Sequence, residues 1–170
     1  GGAIGDLSAV TLADVQTNAN EGSVRTTLSL NDSETIGSLA GGGATGGNVI
    51  LNGNTLTVGG NDSSTSYGGV IAGSATGATQ VVSLGTGSPY TPAGYIYAPE
   101  PVLGAGSLVK TGAGTLTLTG ANLYSEATTI SAGAVLANNT SGSATGTSAV
   151  QVQAGASLGG SGAIGGVTTV

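Results

Sequence analysis

Two acidic residues are the side chains whose spacing comes closest to a catalytic arrangement. Asp32 and Glu34 are two positions apart, so both carboxylates would lie on one face of an extended strand. Glycosidases use such a pair of carboxylates, one of them as general acid. No Asp-Asp pair, His, Arg or Lys stands nearby to support the pair. We therefore interpret Asp32 and Glu34 as charge at an exposed corner, with a polysaccharide-cleaving site as the minor alternative.

Missing residue types exclude most other chemistries. The 170 residues contain no Cys and no His, which excludes disulfides, the usual Zn sites and Ser-His or Cys-His nucleophiles. Arg25 and Lys110 are the only cationic side chains, so binding to nucleic acid or to anionic lipid is excluded as well. No stretch approaches the roughly 18 apolar residues of a membrane span, so no membrane insertion is expected.

A metal site has one weak indication. Asp62 follows Gly59-Gly60-Asn61, which faintly resembles the calcium-binding nonapeptide repeat. The pattern does not recur along the chain. We therefore predict neither a metal nor a cofactor.

Three Tyr form the candidate interaction site. Tyr90, Tyr95 and Tyr97 lie in the stretch 88–101, which also contains all four Pro. Pro cannot donate to a β-ladder, so we predict an excursion over residues 89–105. Tyr side chains suit an interface or a glycan platform. Two interpretations stay open: an irregular loop whose Tyr pack back on the body, or contact with a surface glycan or a host protein.

Apolar residues alternate with Thr or Ser in short runs bounded by Gly, as in 53–59 and 114–120. This alternation is typical of half-buried strands. A charged fraction of only 6% and few Pro argue against disorder. The chain is therefore predicted to be all-β.

Internal repeats indicate how the strands are arranged. The pattern polar-aliphatic-polar-Ala-Gly-Ala-x-Leu occurs at 129–136 and again at 151–158, with a looser version at 110–116. The period between these copies favours a β-solenoid of about seven or eight coils. Coils over 1–88 and 106–170 would form one solenoid, with 34 Gly at its corners and an interior too thin for large aromatic residues. An antiparallel sandwich is the competitor, but Asn52-Gly53 is the only two-residue hairpin signal.

Residues 106–124 closely resemble the autotransporter-associated β-strand repeat, and the resemblance continues to residue 133. Its motif positions in this chain are Gly106, Leu108, Lys110, Gly112, Gly114, Leu116, Leu118, Gly120, Asn122, Tyr124 and Gly133. The segment 125–127 departs from the family, which usually has a Gly-rich turn there. The resemblance implies a right-handed parallel β-helix that is secreted or on the surface of a Gram-negative bacterium, and it implies no particular activity.

The two ends of the chain suggest self-association. Residues 1–5 and 162–165 are similar, apolar and without a polar cap. Unpaired strand edges template further pairing, so we expect the coils to continue into a longer chain or into another copy stacked head to tail. The expected function is a non-enzymatic extracellular rod that forms a stalk, fibre or matrix filament. A surface adhesin that displays the Tyr/Pro stretch is the alternative.

Overall fold

The computed structural model describes residues 4–14, 16–18, 22–24, 26–76 and 100–170, without the side chains of 16–18 and 22–24. All regular elements among these residues are β-strands. They are β1 (Ala9–Leu12), β2 (Gln16–Asn18), β3 (Gly22–Val24), β4 (Thr27–Ser29), β5 (Glu34–Ile36), β6 (Ser38–Gly41), β7 (Asn48–Ile50), β8 (Thr55–Val58), β9 (Thr65–Tyr67), β10 (Ile71–Ala72), β11 (Ser74–Thr76), β12 (Glu100–Val102), β13 (Ser107–Lys110), β14 (Thr115–Leu118), β15 (Thr128–Ile130), β16 (Ala134–Ala137), β17 (Val150–Val152), β18 (Ser157–Gly160) and β19 (Thr168–Thr169).

Three parallel sheets build the body. Sheet 1 has the order β1-β6-β9-β14-β16-β18, sheet 2 has the order β5-β8-β13-β15-β17-β19, and sheet 3 has the order β4-β7-β10. All pairings within these sheets are parallel, and strands of sheets 1 and 2 alternate along the chain as it winds. The predicted all-β parallel β-helix is confirmed, and the antiparallel sandwich is wrong.

The register explains the sequence repeat. Thr128 pairs with Val150, and these residues are as far apart as the two copies of the repeat. Thr27 pairs with Asn48, which is one position closer. One coil therefore contains about as many residues as one period of the sequence repeat. Equivalent residues of successive coils stack into columns, and one inward column of sheet 2 consists of Ile36, Val58, Lys110, Ile130 and Val152.

The core is made mainly of Leu, Ile, Val and Ala, with two aromatic side chains and the buried Lys110 among them. Tyr67 and Tyr124 are fully buried and are the largest side chains in the core. The expectation that the interior is too thin for large aromatic residues is therefore wrong. Inside the coil each hydroxyl has a hydrogen-bond partner, Gly47 O for Tyr67 and Thr128 Oγ1 for Tyr124, so burial leaves neither hydroxyl unpaired.

Sheets 1 and 2 each have six strands among the described residues, where length alone predicts seven or eight turns. Some of the residues do not belong to any coil, so they add no strand to sheets 1 and 2. Strands β2 and β3 pair antiparallel with each other, and so do β11 and β12. Both pairs lie outside the three parallel sheets.

One step of the stack contains an insertion. Thr55 pairs with Ser107, which follows it by 52 residues, more than twice the usual step. Ala72 bridges Leu123 and Gly104 bridges Tyr124, so Ala72 and Gly104 occupy consecutive positions beneath the next coil. We call residues 73–103 the insertion. The predicted excursion 89–105 lies outside the described residues up to 99, and its limits stay a prediction.

Candidate functional site

The motif residues lie in the two coils formed by β13 to β16. Leu108, Leu116 and Leu118 point inward and are buried. Gly112 has a φ of +68°, and a Cβ there would overlap the carbonyl oxygen of Gly59. A side chain at this position would meet both backbone strain and a steric clash. The other motif glycines, at which a Cβ would also meet atoms of a neighbouring coil, are Gly106, Gly114, Gly120 and Gly133.

Lys110 interrupts an aliphatic column with a charged group. Its side chain is only 1% exposed. Its Nζ donates to the carbonyl oxygens of Thr111 and, at 2.9 Å, of Gly112, with a long contact of 3.5 Å to Ala132 in the next coil. Burial lowers the pKa of Lys110, and the negative charge of Asp62 partly opposes this. The ammonium group therefore binds the corner carbonyls of two coils together.

Asn122 connects three coils at another corner. The side chain is 2% exposed. Its Oδ1 accepts the N–H of Ile71 at 2.8 Å in the preceding coil, and its Nδ2 donates to Ala144 O at 2.6 Å in the following coil. Asn48 occupies a similar place and accepts the N–H of Val70 at 3.0 Å. These amides supply the hydrogen bonds that backbone groups lose where the coil bends.

Tyr124 belongs to a buried hydrogen-bond chain. Thr128 Oγ1 donates to Thr145 O at 3.1 Å, so the Tyr124 hydroxyl, 2.5 Å away, donates to Thr128 Oγ1. Burial strongly raises the pKa of Tyr124, and the same cause raises the pKa of Tyr67. Neither phenol can ionise readily in the folded protein.

The acidic candidates do not form a site in the part of the chain that the structure describes. Asp32 is exposed, and Glu34 is half-buried on β5, at the edge of sheet 2. Asp62 Oδ1 accepts the N–H of Ala113 at 2.6 Å, which is a corner contact between coils. Within the described ranges, no group of three or more Asp, Glu, His or Cys side chains could hold a metal ion.

The three Tyr of the candidate interaction site lie outside the described residues. Tyr90, Tyr95 and Tyr97 all belong to the range 77–99. The described neighbours are β11 and β12, whose antiparallel pairing joins Thr76 to Glu100. The stretch that contains the three Tyr therefore lies between the two strands of this antiparallel pair.

Sequence reasoning misses the roles of the polar core residues. Asn122, Lys110 and Tyr124 are recognisable as motif positions, but nothing in their spacing indicates that all three side chains are buried. Asn48 lies outside the segment that resembles the family, and Thr128 lies within that segment but is not one of the motif positions. Lys110 stands on β13 between Val58 and Ile130, so its place in an aliphatic column is visible only once the strand pairing is known.

Comparison with known proteins identifies the repeat. Residues 108–137 match the family model described as passenger-associated-transport-repeat. This segment is an autotransporter passenger repeat. Its limits include β14, β15, β16 and all but the first residue of β13, so the passenger repeat corresponds to the strands of sheets 1 and 2 in two successive coils. Searches of curated proteins and of solved structures give no match.

Three polar side chains of the passenger repeat take part in the packing of its coils. The side chains of Lys110, Asn122 and Tyr124 are directed at backbone groups of their own and adjacent coils or at a buried hydroxyl. Within the described residues there is also no helix of the length and apolarity needed to cross a bilayer.

Proposed function

We propose that this protein is a non-enzymatic structural segment of a secreted or surface-attached autotransporter passenger in a Gram-negative bacterium. Its role is to form a rigid rod that serves as a stalk, fibre or matrix element. Rigidity follows from continuous parallel ladders, in which each coil is held by hydrogen bonds to the coils on both sides.

One observation supports this proposal most strongly. Two polar groups of the passenger repeat, the Lys110 ammonium and the Asn122 amide, are buried and bonded to the coils themselves, while Glu126 is exposed. Lys110 is 1% exposed and Asn122 is 2% exposed, and both donate to backbone carbonyls. A group in such a position cannot reach a substrate, whereas it stabilises a rod.

Surface display tests the export part of the proposal. The chain, with an epitope at its amino end, is fused to the translocation domain of a laboratory autotransporter. We expect the epitope to be accessible on intact cells and the rod to resist added protease. A Gly112→Asp variant is the matched control, since its side chain cannot fit between the coils. Retention of the parent chain inside the cell would contradict the proposal.

An adhesin is the second candidate. The insertion supports it, because the pairing of Thr55 with Ser107 across 52 residues leaves room for a long projection from one coil. Replacing Tyr90, Tyr95 and Tyr97 by Ser should abolish binding to host cells or to surface polysaccharide if the stretch is a binding site. Unchanged binding by the triple variant, or no binding by the parent, would exclude this adhesin role and leave a purely structural one.

Catalysis by Asp32 and Glu34 has a direct test. We expect no release of reducing ends from bacterial or host polysaccharides. If any release is found, a Glu34→Gln variant should lose it only if the carboxylate takes part. Equal release by parent and variant would dismiss this carboxylate.

A further inference from the structure

The Asn52-Gly53 pair forms a turn at a corner of the coil and not a hairpin. Both residues are exposed and have positive φ values, +52° and +83°, and the N–H of Asn54 donates to Leu51 O at 2.9 Å. Positive φ at both central positions is the geometry of a type I′ turn. The turn joins β7 of sheet 3 to β8 of sheet 2, so the hairpin signal in the sequence marks a change of sheet within one coil.

Both residues of this turn are bonded to other coils. The Nδ2 of Asn52 donates to Ser29 Oγ at 2.9 Å and to Leu30 O at 3.0 Å, in the preceding coil. The N–H of Gly53 donates to Ala105 O at 3.0 Å, in the following coil. Asn52 is the donor in both of these side-chain bonds, a role that a carboxylate cannot take. The link to the preceding coil therefore requires an amide at this position.

An Asn followed by Gly is prone to form a succinimide, because Gly has no side chain to hinder its own backbone nitrogen. In this reaction the Gly53 nitrogen loses its proton and attacks Cγ of Asn52. A C–N bond forms, the bond between Cγ and Nδ2 breaks, and Nδ2 leaves as ammonia with that proton. Water then opens the ring at either carbonyl, which yields aspartate or isoaspartate. A Cβ at Gly53 would meet no atom within 4 Å, so water can reach this turn.

We propose that Asn52 is a deamidation site that the stacked coils protect, and that its conversion breaks a link between coils. Acceptors in the preceding and the following coil hold the two reacting groups, Asn52 Nδ2 and Gly53 N. Ring closure therefore requires this corner to open locally. After conversion a carboxylate faces the carbonyl oxygen of Leu30 and cannot donate to it. Because ammonia is lost, the change accumulates in chains whose corner has opened.

The rate of conversion in the folded and the unfolded chain tests the protection. The chain is incubated at slightly alkaline pH with and without urea, quenched in acid, cleaved with pepsin and mapped by mass spectrometry. Asn52 should convert in urea and convert at least about tenfold more slowly in the native chain, since the rate follows the population of the open form. Asn54, which precedes the branched Thr55, is the internal control and should be slower than Asn52 in urea. No conversion of Asn52 in urea, or equal rates in the two states, overturns the proposal.

A Ser29→Ala variant tests whether the bond to the preceding coil provides the protection. It removes one of the two acceptors of Asn52 Nδ2 and should raise the native rate roughly two- to tenfold, which is the effect of one hydrogen bond on the opening equilibrium. The rate in urea should stay that of the parent. Ser131→Ala, two coils further along the stack, is the matched control and should leave both rates unchanged. An unchanged native rate in Ser29→Ala, or an equal increase in both variants, would show that this bond does not protect Asn52.

An Asn52→Asp variant reproduces the aspartate product and tests its effect on the coils. Its urea midpoint, followed by circular dichroism, should be lower than that of the parent, because both donor bonds of the side chain are lost. Asn138→Asp is the matched control: Asn138 is exposed and accepts the N–H of Ser161, which a carboxylate can also do. Its midpoint should stay close to that of the parent. Equal midpoints for Asn52→Asp and the parent would contradict the loss of a link between coils.

Discussion

At the scale of single residues, buried polar side chains link the coils of this β-helix. Strand pairing alone leaves backbone groups unpaired where the coil bends, and buried polar side chains bind those groups. Lys110 binds carbonyls of two coils, and Asn122 joins three. The motif residues Lys110 and Asn122 thus face the backbone of neighbouring coils and not water.

Replacing Asn122 by Ala should lower the free energy of unfolding by about 2–4 kcal/mol, because it leaves two buried backbone groups without a partner. Those groups are the N–H of Ile71 and the carbonyl of Ala144. Urea unfolding followed by circular dichroism measures the change. Asn138→Ala is the control: Asn138 is exposed and accepts one bond from Ser161 N, so its loss should cost under about 1 kcal/mol. Equal losses for the two variants would contradict the role given to Asn122.

The buried Tyr residues predict a loss of stability at high pH. A group whose pKa is raised on folding stabilises the protein below its unfolded pKa of about 10 and loses that contribution as the pH rises further. Tyr67 and Tyr124 both have raised pKa values. Each should remove about 1.4 kcal/mol per pH unit above pH 10. The pKa of Lys110 is lowered on folding, so this residue makes the stability rise with pH. It does so only below its unfolded pKa of 10.5.

Urea midpoints at about pH 9, 10.5 and 11.5 test this for the parent and for Tyr67→Phe, Tyr124→Phe and the double variant, since these values bracket the unfolded pKa of Tyr. Each Phe should flatten the decline by a similar amount. A double variant that declines as steeply as the parent would show that these phenols do not cause it.

At the scale of elements, the insertion is separable from the coil. The N–H groups of Gly73 and Gly104 both donate to Leu123 O, at 2.9 Å and 3.3 Å. A Cβ on Gly73 would overlap the carbonyl group of Gly104, so the two backbones are in close contact. The coil therefore closes at this point without the residues between them.

Deleting residues 73–103, so that Ala72 is joined to Gly104, should leave a folded β-helix. After the deletion, Ser107 follows Thr55 by the same number of positions that separates Thr27 from Asn48, which is one ordinary coil. Circular dichroism and the urea midpoint should stay close to those of the parent. A deletion of the same length over 88–118 is the control, because it removes β13 and β14 and should unfold the stack. Loss of structure in the first variant would show that the insertion supports the coil.

The sequence pattern predicts the strands of the coils better than it predicts the insertion. Alternation marks β13 and β14, and the internal repeat predicts the offset of β15 to β17, because inward and outward positions have opposite chemistry. The start of the insertion at Gly73 has no such signal, since Ser74-Ala75-Thr76 resembles any other strand here. These three residues form β11, and its antiparallel partner β12 follows the range 77–99. Local sequence does not specify so distant a pairing.

The candidate site is only partly predictable for a similar reason. Motif positions such as Gly112 and Leu116 follow from local spacing. Whether Lys110 or Asn122 faces water or a carbonyl in the next coil depends on stacking, which brings together residues that are a full coil apart in the sequence.

At the scale of the whole molecule, the parallel coils on the two sides of the insertion stay in register with each other. Because stability in such a stack comes from neighbouring coils, a shift at one step would expose every inward column beyond it. The outward column formed by Thr57, Val109 and Thr129 crosses that step.

Engineered disulfides measure this register most directly, since the chain has no Cys of its own. Thr57 and Val109 are paired residues on adjacent strands, which lie about 4.8 Å apart in a sheet. Thr57 and Thr129 are two strands apart, about 10 Å, which exceeds the reach of a disulfide. We expect the Thr57→Cys, Val109→Cys variant to form an intramolecular disulfide and the Thr57→Cys, Thr129→Cys variant to form none. Bridging of the second pair in place of the first would contradict the stack described above.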